Sequence, residues 1–274
     1  MTRQIKNIIA ITAFLICIGL INFAGQNIDI QIRGINAFTF ILIVAVLLQI
    51  IFFIPSFLLK TEKYYDLVGS LTYVTTVSFA YFAVENKTMI DSIIYFYVMI
   101  WASRLGIYLF RRVRNDGKDV RFEKAKRHFF WFLQYWMGQA LWVTLTSCAA
   151  IIAILSPEDD TLPVLAIFGM ALWLSGFTIE SISDYQKRAF RKENNPSESF
   201  IHTGLWARSR HPNYFGEVTL WTGIAVIALN TLTGIEYITL ISPVFVYILL
   251  TRMSGVNLLE RIADERYGHL EEYQ

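Results

Sequence analysis

The chain has 274 residues, 55% of them hydrophobic and 15% aromatic, with only 17% charged and a formal net charge of +2. Soluble domains carry about 25% charged residues, so the composition excludes an ordinary soluble globular class. No nucleic-acid motif accompanies the basic residues, which sets that partner aside.

The apolar excess falls in blocks of roughly 20 residues, the length that crosses a hydrocarbon core. In chain order the expected spans lie near 7–23, 35–59, 65–84, 90–110, 129–155, 162–182, 215–230 and 235–250. This pattern predicts an all-α, polytopic membrane bundle of seven or eight helices, the block 215–230 being the shortest and the candidate for a re-entrant segment. The first block has no small-residue cleavage site after it and is read as a span rather than a signal peptide. With the N-terminus inside, 21 of the 24 Lys and Arg residues fall in cytoplasmic segments and only Arg33 and Lys87 in outer loops. That asymmetry puts both termini in the cytoplasm. Acidic groups mark the outer side: Asp29, Glu85, the run at 158–160 and Glu236. Cys17 and Cys148 fall inside spans without CxxC spacing and read as buried structural thiols.

Two long polar connectors interrupt the blocks. Residues 111–128 form a charged segment with a glycine turn, and "RKENNPSES" within 184–213 stops a helix through its Asn, Pro and Ser residues. Polar chemistry is therefore concentrated on the cytoplasmic side, where a water-soluble cofactor would enter. The expected division is 1–155 for the substrate-side helices and 156–274 for a cofactor-binding module.

Three sets of ionisable residues stand out, because such groups in membrane helices face a cavity or a partner. Arg104 shares a helix face with Tyr97, Trp101, Tyr108 and Arg111, two turns from the cytoplasmic end. Snorkelling to the headgroups along an aromatic interface is the simpler account; a buried partner is the other. In "FTIESISDYQKRAFR", Glu180, Asp184, Lys187 or Arg188, and Arg191 form one stripe running from acidic to basic. Exposed i,i+4 pairs contribute only about 0.2–0.5 kcal/mol, whereas a carboxylate inside the bilayer costs about 2.5–3.5 kcal/mol. A ligand needing both acceptors and cations, such as a nucleotide, explains the stripe better.

The third set is "GLWARSRHPNYFGE" at 204–217. Pro212 suits the first turn of a helix, which puts Asn213 and Glu217 one turn apart on one face, with Arg208, Arg210 and His211 just upstream. Helix N-termini offer free N–H groups to anions, and Arg grips phosphate or carboxylate with two hydrogen bonds. Asn and Glu can bond an amide or a ribose hydroxyl. A membrane-interface turn explains Trp206 and Tyr214 as belt aromatics but leaves Glu217 unexplained.

This stretch resembles the signature of the membrane superfamily containing steroid 5α-reductases, sterol C14 reductases and isoprenylcysteine carboxyl methyltransferases. The chain is most similar to a branch with a steroid-5α-reductase-type C-terminal domain, through "TEKYYDLVGSLTY", "GKDVRFEK", "WMGQALWVTL", "DYQKRAFR" and "SGVNLLE", over roughly residues 50 to 268. The resemblance implies NADPH held by Asp184, Arg191, Asn213, Glu217 and Arg252, with Arg104 matching the family's third-helix arginine; Arg208, Arg210, His211 and Tyr214 of the same stretch are further cofactor-binding candidates. The sequence departs from the pattern at two places. Steroid reductases carry Gln-Glu before "LPSF" where this chain has Phe52 and Phe53, and their partner Tyr aligns with Trp101, so the usual proton-donating pair is absent. Tyr97, Tyr64 or Tyr73 would have to serve as the acid.

No GxGxxG, GxxxxGK[ST], HExxH or GxSxG motif occurs. Membrane di-iron enzymes need more His ligands than the four scattered here, His128, His202, His211 and His269, and no metal is expected. The polar positions cluster near one membrane face and trace no path across it, against a channel. The expected function is an NADPH-dependent reductase of a C=C bond in a lipophilic sterol, isoprenoid or fatty substrate. Its pocket would be lined by Tyr97, Trp101, Gln139, Trp142 and Glu180, with Arg104 or a nearby acid stabilising the enolate. An S-adenosylmethionine-dependent methyltransferase is the alternative, and a non-enzymatic lipid-binding membrane protein the third reading.

Overall fold

The computed structural model describes residues 1–116, 122–156, 162–194, 199–253 and 255–273. The glycine turn expected near Gly117, the acidic run 158–160, the Asn-Pro-Ser helix stop at 195–197 and Ser254 of "SGVNLLE" lie outside them. Nine α-helices are present among the described residues: α1 (Arg3–Ile21), α2 (Ala37–Leu58), α3 (Tyr65–Ala83), α4 (Met89–Asp116), α5 (Phe129–Leu155), α6 (Val164–Glu193), α7 (Pro212–Ala228), α8 (Ile241–Ile248) and α9 (Val256–Tyr267). A 3₁₀ segment, Gly234–Leu240, leads into α8, and a wider π turn, Leu249–Met253, follows it.

Six of these stretches are long and apolar enough to cross a membrane: Arg3–Gly25, Ala37–Leu58, Met89–Arg111, Phe129–Leu155, Val164–Glu193 and Gly234–Met253. The chain is a membrane-embedded helical protein. Two of the eight expected spans form helices in the expected places without meeting that standard. Helix α3 carries Asp66, Ser70, Thr72, Thr75 and Thr76 along its length. Helix α7 has 17 residues, a rise of about 26 Å, short of a hydrocarbon core of about 30 Å.

The chain divides into two compact units, the first comprising Met1–Pro163 and Ala228–Leu240, the second Val164–Ile227 and Ile241–Gln274. The first is organised around α5, whose apolar window is 83% buried. Helices α1, α2, α3 and α4 all pack against it. On its N-terminal half an aromatic cluster forms: Phe53 lies 5.2 Å from Phe129 and 5.9 Å from Phe132, and Tyr65 lies 5.3 Å from Trp136. Near that end, Lys126 and Glu62 make a 2.8 Å ion pair. Between α2 and α3, Gln49 Nε2 donates to Thr72 Oγ1 at 2.8 Å.

The segment 228–240 returns to this unit rather than to the C-terminal one, and side chains fix it there. The Cys148 thiol lies 3.4 Å from the Thr239 carbonyl, Ser156 Oγ donates to Glu236, and Glu236 caps Thr233 N at 2.8 Å. Cys148 is buried as expected, but Cys17 is exposed, because it sits on the outward face of α1.

One small departure from an all-α chain is a hairpin, β1 (Gln31–Ile32) with β2 (Ile35–Asn36). Arg33 and Gly34 both have positive φ, 53° and 79°, as a tight two-residue hairpin turn requires. Asn36 then caps α2, accepting from Thr39 N at 3.1 Å and donating to the carbonyls of Gly25 and Ile28.

In the second unit α6 and α7 cross at backbone contact. Gly169 and Gly176 on α6 face Gly223 and Gly216 on α7. A Cβ on Gly176 would fall 2.6 Å from the Gly216 carbonyl, and one on Gly216 would fall 2.6 Å from the Glu180 amide nitrogen. Small residues at such spacing let membrane helices approach closely. The crossing fixes where Glu180 and Asp184 on α6 and Glu217 on α7 stand, all three buried.

Candidate functional site

The residues singled out in the sequence sort into two places. In the second unit, a cavity of about 440 Å³ is lined by Lys187, Arg191, Phe200, His202, Trp206, Arg210, His211, Glu260, Arg266, Tyr267 and Tyr273, among others. Its floor is built from the turn before α7. There Gly204 has φ +62°, Leu205 N donates to Gln186 Oε1 at 3.0 Å, and Trp206 Nε1 donates to the Ser183 carbonyl at 3.0 Å. These bonds lay the "GLWA" turn onto α6 and bring Lys187 over the Trp206 ring, 4.6 Å from its centroid.

The opposite wall is α9 and the short turn after it. Arg210 pairs with Glu260 at 3.0 Å and Asp264 at 3.7 Å, donates to the Tyr273 hydroxyl, and lies 4.8 Å above the Tyr273 ring. His211 Nε2 meets Glu260 Oε1 at 2.6 Å, and its ring stacks on Tyr214 at 5.4 Å. His211 Nδ1 has no hydrogen-bond partner among the described residues. Burial lowers the His211 pKa below its ordinary 6.5, while the hydrogen bond and charge of Glu260 resist the shift. The Tyr273 hydroxyl is pushed up by burial and by its bond to Asp264. Phe200 packs on Tyr267 at 5.7 Å and Tyr273 at 5.2 Å, completing an aromatic wall.

Of the expected cofactor residues, Arg191, Arg210 and His211 therefore line one cavity. Asn213 and Glu217 follow on α7 and are not among the lining residues, and the Asn213 side-chain oxygen is buried without a hydrogen-bond partner among the described residues. Asp184 is buried in α6, Tyr214 supports His211, and Arg208 and Arg252 are exposed and outside the lining. The aromatic wall and Arg266 were not foreseen. The tail's Tyr267 and Tyr273 lie in an acidic stretch, and contact with Phe200 and, for Tyr273, with Arg210 brings them to the cavity.

In the first unit, Trp101, Gln139 and Trp142 line a single cavity of about 30 Å³ with Asp66, Gly69, Ser70 and Tyr73. Tyr73 stands edge-on to Trp101 at 5.1 Å. Ser70 donates to the Ala102 carbonyl, joining α3 to α4. Tyr97 and Arg104 are half-buried on α4 but are not among the lining residues, and Glu180 belongs to the other unit. Phe53, at the place of the reductases' glutamate, is part of the aromatic cluster and 2% exposed.

A family model described as "Protein of unknown function (DUF1295)" matches residues 52–274, and the chain belongs to that family. No solved structure matches it.

Proposed function

For this DUF1295 chain we propose a membrane reductase that uses NADPH on a C=C bond of a lipophilic substrate. The observation that carries the reading is the cavity of the second unit, where Lys187, Arg191, Arg210 and Arg266 meet an aromatic wall of Phe200, Trp206, Tyr267 and Tyr273. Cations grip phosphates, and flat rings stack on a base. A dinucleotide needs both, and about 440 Å³ lies within the usual range for ligand pockets. The buried oxygen of Asn213, without a partner among the described residues, suits a carboxamide N–H, so the residues present fit the cofactor.

In this reading Lys187, Arg191, Arg210 and Arg266 bind phosphates, and Asn213 and Glu217 orient the nicotinamide amide. The cofactor, when bound, supplies hydride. Substrate binds in the first unit at Trp101, Gln139 and Trp142, and Arg104 on α4 holds charge at the carbonyl oxygen of a conjugated acceptor. Seven or eight membrane crossings with both termini in the cytoplasm accompany the proposal, since the Lys and Arg bias then gives the cofactor cavity access to the cytoplasm. The membrane is a plasma membrane or an endoplasmic reticulum membrane.

The aromatic wall also favours a second reading, in which a sulfonium cation sits on those rings and S-adenosylmethionine is the cofactor. The four cations oppose it, because that cofactor carries no phosphate. Dihydronicotinamide fluorescence tests the choice of residues. The purified protein is expected to bind NADPH, and Glu217→Gln and Asn213→Ala to lose binding while keeping the wild-type unfolding temperature. Unchanged binding in both variants would remove α7 from the site.

A further inference from the structure

The small cavity of the first unit carries information about the polar end of its ligand. Gln139 and Trp142 lie one turn apart on α5 and so share a face. Gln139 Oε1 and Trp142 Nε1 are both buried, and neither has a hydrogen-bond partner among the described residues. Gln139 is 4% exposed. One atom is an acceptor and the other a donor, and buried polar atoms are almost always satisfied. Glycine at position 69 makes the placement possible: a Cβ there would fall 2.5 Å from the Gln139 side-chain nitrogen.

We propose that this cavity binds the hydroxyl end of an uncharged lipid alcohol, the hydroxyl donating to Gln139 Oε1 and accepting from Trp142 Nε1–H. Two features select a hydroxyl. It is both donor and acceptor on one oxygen, whereas an ether would satisfy Trp142 and leave Gln139 unmet; the conjugated carbonyl of the proposed substrate is a separate group, held by Arg104 outside this lining. A phosphate or carboxylate head would carry its charge into a mostly apolar lining. The lipid's hydrocarbon would remain outside, against apolar side chains or bilayer.

This inference rests on the reading of the first unit as the substrate site and is independent of the cofactor. Its test therefore omits any nucleotide. The full chain in detergent is titrated with a C20 polyprenyl alcohol, its methyl ether and the corresponding acid, following fluorescence of the cavity tryptophans. The alcohol is expected to bind about 10- to 100-fold tighter than the ether, the ratio set by one unmet buried group, and the acid to bind more weakly than the alcohol. Gln139→Leu should bring alcohol and ether to equal affinity, and Trp142→Phe, which removes only the N–H and little volume, should weaken the alcohol without unfolding the protein. Equal binding of alcohol and ether by the wild type, a preference for the acid, or an alcohol preference surviving both substitutions would overturn the proposal. A protein that binds the alcohol but no NADPH would fail as a reductase while keeping this site.

Discussion

The two units solve the problem of polar groups in a membrane protein in opposite ways. The first buries an aromatic and aliphatic core around α5, 83% of whose apolar window is enclosed. Beside that core lies a cavity of about 30 Å³ with a few polar atoms. In the second the enclosed helix is α7, of which Phe215 alone is exposed. The apolar window of α6 is 28% buried, backbone contact at paired glycines holds α6 to α7, and the charged side chains gather around about 440 Å³. The first unit's core cluster is made of rings and aliphatic side chains, and the second gathers cations, a carboxylate and rings around one cavity. The contrast is one of scale and charge: a small, mostly apolar cavity in one unit and a larger, charged one in the other.

The sharpest way to break that contrast is to place a carboxylate in the packed core. Phe53→Glu puts a charge into a ring cluster of Phe129, Phe132 and Trp136. Truncating a core Phe alone costs about 3–5 kcal/mol, and an unpaired buried charge adds to that. The expected outcome is loss of the folded monodisperse peak in size-exclusion chromatography. A stable, folded variant would show that the cluster is not the core of the first unit.

The corresponding test in the second unit is Gly176→Leu. The new side chain would meet backbone atoms of Gly216 and Leu220, which cannot move aside as a flexible side chain can. Overpacking costs about 1–3 kcal/mol and more when backbone must shift, so a clear fall in unfolding temperature is expected, with loss of ligand binding at α7. Gly19→Leu, at a glycine with open space around it, is the control and should be close to neutral.

The smallest effect concerns His211. Burial holds its pKa below 6.5 in the folded protein, so the unfolded chain takes up a proton that the folded chain resists. The contribution to stability is present above 6.5 and is lost as pH falls below it. Glu260→Gln removes the groups that pull the pKa up, so the loss of unfolding temperature between pH about 7.5 and about 5.5 should be larger than in the wild type. A smaller loss would contradict the assignment of Glu260 as the partner of His211.

Much of this architecture was legible in the chain, because hydropathy blocks mark helices whatever their tertiary partners. Helices α2, α3, α4 and α5 fall within a residue or two of the expected blocks at their N-terminal ends. Arg191, from the α6 stripe, and Arg210 and His211, from the turn before α7, line one cavity. What escaped depends on contacts between distant residues. The return of 228–240 to the first unit is set by Cys148 and Ser156, far away in sequence. The aromatic wall needs Phe200 to meet Tyr267 and Tyr273. Arg208, Arg252, Arg191 and Arg210 are alike in residue type and all exposed, yet only Arg191 and Arg210 line the cavity, since the path of the main chain separates them. The glycine pairs, spaced by seven on both α6 and α7, were readable in principle.

The measurement closest to the central claim is thermal unfolding of the detergent-purified protein with NADPH, NADP⁺, S-adenosylmethionine or S-adenosylhomocysteine. A ligand at about 100 times its dissociation constant stabilises the native state by about 2.7 kcal/mol, a shift well within reach of the method. The account predicts stabilisation by the NADP pair alone, lost when Arg191 and Arg210 are both replaced by Ala. Stabilisation by the methionine-derived pair alone, or by none of the four with the protein shown to be folded, would contradict it.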